Sequence, residues 1–152
     1  MKLRDRMGAS GALQIVLTDK DGNIKLDHLT ENLVVDTGLA YIAGRMVDAS
    51  ASVMSHMAVG TGSTAAADTD TALNTELARA ALTTTTVVTT NVANDAVEYV
   101  GTFGAGVATG ALVEAGLLNA GSGGVMMTRT VFGVVTKAAD DILTITWRVT
   151  IA

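Results

Sequence analysis

Few side chains in this sequence fall at spacings that chemistry requires. Asp19, Asp21 and Asn23 set oxygen donors at alternate positions, as at the start of a calcium loop, but the twelfth position holds Thr30 where such a loop needs a bidentate glutamate. Asp-Gly chemistry in a turn is the better reading, because glycine accepts positive φ and aspartate bonds its own backbone. Gly60-Thr61-Gly62 could cradle an anion with backbone amides, yet no G-K-[ST] and no third glycine at dinucleotide spacing follows. With Ser63 it also falls short of the G-x-S-x-G turn that presents a serine nucleophile. Asp68, Asp70 and Glu76 could serve a metal or proton transfer, but no other group converges on them. His28 and His56 stand alone, outside any metal-ligand spacing, and the chain has no cysteine. No catalytic, cofactor-binding or metal-binding residue is assigned.

The elements that would position such groups are predominantly strands. Leu13, Ile15 and Leu17 alternate with polar neighbours, Asp19 to Asn23 turns the chain, and Ile24 and Leu26 resume the pattern, which makes a hairpin. Leu39, Ile42, Ala43 and Met46 share one face at helical spacing, so one short amphipathic helix is expected near 37–47, capped by Asp36 or Thr37. Val53 to Val59 alternates as a strand. Leu73 and Leu77 suggest a further weak turn of helix after the loop from Gly60 to Ala67.

Threonine dominates from Leu82, and its β-branched side chain favours extended backbone. A second hairpin is expected there, turning at Asn91 to Ala96 and returning through Val97, Tyr99, Gly101 and Phe103. Leu112, Val113, Leu117 and Leu118 mark a strand between the glycine turns at 104–110 and 121–124. The last third gives two more strands, ending in Leu143, Ile145, Trp147, Val149 and Ile151 in strict alternation with Thr144, Thr146, Arg148 and Thr150. Trp147 therefore belongs to the core, and the methionines, including Met54, Met57, Met126 and Met127, read as core filler. Seven or eight short strands joined by glycine-rich turns predict an antiparallel β-sandwich, jelly-roll or immunoglobulin-like, over residues 12–152. Residues 1–11 are read as an N-terminal arm.

The 152 residues suffice for one core, and the hydrophobic fraction is 49%, but only one Trp, two Tyr and two Phe contribute large rings. Small side chains bury less area each, so part of the stability is expected from contacts between chains. Five rings are too few for a base- or glycan-stacking platform. A formal charge of −5 speaks against a general nucleic-acid partner, and the absence of an apolar run of about 18 residues against a membrane-spanning helix. The basic Lys2, Arg4 and Arg6 are the candidate contacts to an acidic partner surface.

Several ordered segments carry a resemblance. Asn32 to Ala43 (NLVVDTGLAYIA) is followed by Met57 to Thr64 (MAVGTGST) and Asp70 to Arg79 (DTALNTELAR). Gly110 to Asn119 (GALVEAGLLN) then precedes Met127 to Phe132 (MTRTVF) and Leu143 to Trp147 (LTITW). The set, covering roughly 30 to 151, resembles small structural proteins of tailed bacteriophages. The resemblance implies a virion component without enzymatic activity. Its first form is a capsid decoration or cement protein on the outer shell, a homotrimer that bridges copies of the major capsid protein. The alternatives are a tail, collar or fibre-attachment module and, in a different class, a carbohydrate-binding module. Chain length and the lack of internal repeats favour the first over a host-reaching fibre. No cofactor is implied.

Overall fold

A computed structural model describes residues 8–47 and 51–151. It contains eight strands and one helix: β1 (Ala9–Thr18), β2 (Ile24–Val34), α1 (Asp36–Arg45), β3 (His56–Gly60), β4 (Glu76–Val88), β5 (Ala96–Phe103), β6 (Gly110–Leu118), β7 (Met126–Lys137) and β8 (Ile142–Ile151). The hairpins, the helix, the strand at 110–118 and the two final strands lie where the periodicity places them. The Leu73/Leu77 helix does not form; residues 61–75 are a loop and β4 begins at Glu76. β1 begins at Ala9, within the segment read as an arm, and Lys2, Arg4 and Arg6 lie outside the described residues.

The expected sandwich is overturned. The strands close into an antiparallel barrel in the order β1-β2-β7-β6-β3-β4-β5-β8. Closure comes from long strands that change partner along their length. β4 pairs with β3 from Glu76 to Ala81 and with β5 from Leu82 to Val88, the second ladder slipping register between Leu82 and Thr84. β2 pairs with β1 over most of its length and with β7 only at Leu33 and Val34. A sandwich and a barrel demand the same inward/outward alternation, so the apolar pattern alone does not separate them. Gly101 of β5 makes room for Met57 in the interior, since a Cβ there would lie 2.8 Å from the Met57 sulfur.

The interior is filled by Leu13, Ile15, Met57, Phe103, Leu117 and Trp147, among others, all fully buried. Each such aliphatic or aromatic side chain contributes on the order of 1.5–3 kcal/mol by leaving water. The Trp147 indole donates from Nε1 to Asn32 Oδ1 at 3.0 Å, which satisfies its single polar atom. Met54, Met57, Met126 and Met127 are all buried. The outer face of β1, β8, β5 and β4 carries Gln14, Arg148, Glu98, Thr84 and Thr86. That polarity is the inverse of a lipid-facing barrel, which is apolar outside and polar within. No helix among the described residues is long and apolar enough to cross a membrane.

α1 sits where β2 meets β7. Its N-cap is Val35, with no side-chain cap bond, so neither Asp36 nor Thr37 plays the expected capping role. The Asp36 amide donates to Asp68 O, and the Thr37 hydroxyl to Met126 O at 2.8 Å. Asp36 in the first turn and Arg45 in the last still suit the helix dipole. Gly38 is the buried residue of the helix, and a Cβ there would lie 2.1 Å from the Met127 carbonyl oxygen. The spacing of Leu39, Ile42, Ala43 and Met46 places them on one side as expected. Ile42 packs in part against the core, but Leu39 is 47% and Met46 69% exposed.

Candidate functional site

Polar chemistry inside the described residues concentrates under the loop that joins β3 to β4. Glu114 lies on the face of β6 that looks away from the barrel interior, between inward Leu112 and Ala115, and is fully buried because the 61–75 loop folds over it. Its Oε1 accepts the amides of Gly62 at 3.0 Å and Thr75 at 2.7 Å, and its Oε2 accepts the Asn74 amide at 2.9 Å. Arg129 of β7, opposite Gly116 of β6, reaches the same Oε2 from Nη2 at 2.8 Å and from Nε at 3.1 Å. Its other nitrogen, Nη1, pairs with Asp70 Oδ2 at 2.7 Å, and Nη2 also donates to Thr64 O at 3.0 Å. Asp70 Oδ2 in turn accepts the Ala67 amide.

Burial alone pushes the Glu114 carboxyl up. The Thr75 amide, the Arg129 guanidinium and the amides of Asn74 and Gly62 together outweigh it and hold the carboxyl below its ordinary range. The Ala67 amide, then Arg129, hold Asp70 low against its own desolvation. Arg129 is destabilised as a cation by burial, yet Glu114 and Asp70 more than restore it. All three are therefore charged, and Glu114 and Arg129 point at one another, at Asp70 Oδ2 or at backbone. Such an arrangement fixes a loop: Glu114 and Arg129 are sealed beneath it, and Asp70, partly exposed, is the member at its edge.

The glycine pair read as a possible anion cradle belongs to this cluster. A Cβ at Gly62 would lie 2.5 Å from Glu114 Oε1 and 2.6 Å from Asn74 Cβ. The loop backbone thus approaches an acidic side chain of the protein itself, and the amides that might have held a phosphate are spent internally, that of Gly62 on Glu114 and that of Thr61 on Thr75 O. A small second core of Val35, Ala58, Leu73, Leu118 and Met126 seals the same face, with Leu73 reaching down from the loop.

The other candidates do not converge. Of the three carboxylates at 68–76, only Asp70 enters the cluster; Glu76 pairs with Arg79 at 2.7 Å, and Arg79 also donates to Ala120 O and Gly123 O, pinning the glycine turn there. Asp19 accepts the amides of Asp21 and Asn23 and the Asn23 side chain, which is turn chemistry and holds its carboxyl low. His56 shares a 2.8 Å hydrogen bond with Ser55, and His28 is exposed on β2. Among the described residues no group of three or more His, Cys, Asp or Glu side chains could hold a metal ion.

Three groups escaped the reading of the sequence. Glu114 and Arg129 stand inside strands with partners 15 to 65 residues away. The signal was their isolation, since a lone charge in a run of Leu, Val, Ala and Gly must find a partner once buried. The third, Lys137, is buried at the end of β7 and donates to Gly104 O at 2.9 Å, while burial lowers its pKa against the attraction of Asp141. Asp141, itself buried, is held by Lys25 at 2.6 Å and by the Ala138 amide.

No family model matches the chain, and neither a curated protein nor a solved structure is significantly similar to it.

Proposed function

We propose that this chain is a structural protein of a bacteriophage virion, a capsid decoration protein that binds the outer shell and stabilises it by bridging capsomers, as a homotrimer. The observation that carries the reading is the division of labour between inside and outside. Each buried charge, Glu114, Arg129, Lys137 and Asp141, is consumed by an internal partner, so the polar interior serves rigidity. Large apolar side chains stay on the surface instead, including Met46 at 69% and Val47 at 79% exposure beside α1. A rigid body with its chemistry turned inward and apolar contacts turned outward suits assembly better than turnover. The ordered resemblance to tailed-phage structural proteins adds the particle.

Stoichiometry tests this. Quantitative mass spectrometry of purified particles that contain the chain is expected to give a copy number comparable to that of the major shell protein. A dozen or fewer copies per particle would point to a tail or collar module, and absence from the particles would remove the virion reading.

A further inference from the structure

We propose that β2 pairs edge to edge with β2 of a second copy of this chain, antiparallel, about a two-fold axis at His28. The barrel closes between β2 and β7 through Leu33–Arg129 and Val34–Thr128 alone, and β7 then bulges, since Leu112 of β6 pairs with Val135 but Glu114 with Val131. Beyond that point no described strand pairs with the second side of β2. His28, whose register with buried Ile15 would point it into the barrel, is exposed, as are Asp27 and Leu29 beside it. Along an antiparallel strand the backbone groups of successive residues face alternate sides. The Val35 amide donates to Met127 O and the Glu31 carbonyl accepts the Thr130 hydroxyl, so the odd-numbered residues face β7. Continuing that alternation puts the N–H and C=O of Leu29 and Asp27 on the open edge. Such an edge is a template for one more strand.

Charge complementarity points to a second copy as the occupant and fixes the register. With the axis at His28, Asp27 and Leu29 exchange backbone bonds with Leu29 and Asp27 of the other copy. Lys25, at the bulge where the β1 ladder slips, then comes opposite Glu31, and opposite charges so placed stabilise a strand pair. The neighbouring registers lack this. An axis at Asp27 opposes that carboxylate to its own copy, and one at Leu29 sets Asp27 against Glu31, like charges that destabilise. An axis at Thr30 brings Asp27 to Leu33, whose edge β7 already holds. Lys25 can serve two carboxylates, because its side chain is 42% exposed although it holds Asp141, and an ammonium has further protons to donate. The contact is isologous, the same patch on both copies. In the homotrimer proposed above it lies between trimers, and it does not depend on the virion reading.

The chain has no cysteine of its own, so His28→Cys and Leu29→Cys can each be placed in it singly and oxidised with glutathione disulfide. The proposed axis makes position 28 a non-hydrogen-bonded pair with its own copy, the Cα atoms about 4.5 Å apart and within disulfide reach, and leaves Leu29 facing Asp27. On a non-reducing denaturing gel the linked dimer is expected about tenfold faster from His28→Cys than from Leu29→Cys, although Leu29 is 71% exposed. Equal rates, the mark of random collision, would overturn the proposal, and faster linkage through Leu29→Cys would overturn its register. A second reading uses the unmodified chain. The Asp27 and Leu29 amides, which face the open edge, are expected to gain protection from hydrogen exchange as protein concentration rises, and exchange at the rate of an open amide at every concentration would equally overturn the pairing.

Discussion

Replacing Glu114 by glutamine keeps the shape of the side chain and removes its charge. One end of the new amide must present an NH2 group. If it replaces Oε1 it faces the Gly62 and Thr75 amides, and if it replaces Oε2 it faces the Asn74 amide and two nitrogens of Arg129. In either orientation at least two buried donors lose their acceptor, at about 1–3 kcal/mol each, and Arg129, whose side chain is 2% exposed, retains only Asp70 as a counter-charge. The expected loss is about 3–5 kcal/mol, the range found when one member of a buried pair is removed. That is a large part of the stability of an ordinary domain. Urea unfolding followed by the fluorescence of the single, fully buried Trp147 measures it. Glu98→Gln is the control, because its pair with Arg148 at 2.8 Å lies in solvent and such pairs contribute about 1 kcal/mol or less. If Glu114→Gln costs no more than Glu98→Gln, the view that the cluster holds the loop is refuted.

Other predictions follow from the same contacts. Glu114 and Asp70 have folded-state pKa values below their unfolded ones, so the stability they contribute is complete above the ordinary carboxylate range of about 4 and is lost as pH falls through the depressed values. The urea midpoint should drop between pH 5 and pH 2.5, and drop less in Glu114→Gln. Gly62→Ala must displace Glu114 or Asn74 and should cost about 1–3 kcal/mol, with faster amide exchange at Asn74 and Thr75. Asn32→Ala strands the Trp147 indole N–H inside the barrel and should cost about 1–3 kcal/mol while shifting the indole proton resonance.

The parts of the fold that were legible are those whose cause is local. Alternation in β1, β5 and β8, Asp-Gly turn chemistry at 19–23 and the spacing of α1 each arise from neighbours in sequence. Barrel closure was not legible because it depends on where β4 changes partner, and Thr83 at the register slip lies in an unbroken threonine run. The Leu73/Leu77 spacing misled for a similar reason. Leu73 is buried because the loop presses it toward Gly116, where a Cβ would meet it at 2.5 Å, and no helix is needed to explain it. The site is half visible: Gly60-Thr61-Gly62 stands out in the sequence as a glycine turn able to offer amides to an anion, but the anion that Gly62 meets, the Glu114 carboxylate, is some fifty residues away. The apolar stripe of α1 is legible from its spacing, but how far tertiary packing covers it is not: Ile42 packs in part against the core while Leu39 and Met46 stay exposed.

The virion reading is tested most directly by gold-labelled antibodies against the folded chain, applied to intact particles and imaged by electron microscopy. Decoration predicts label distributed over the whole head. Label confined to one vertex or the tail would contradict the decoration role, and particles without label on head or tail would contradict a virion role on the exposed surface.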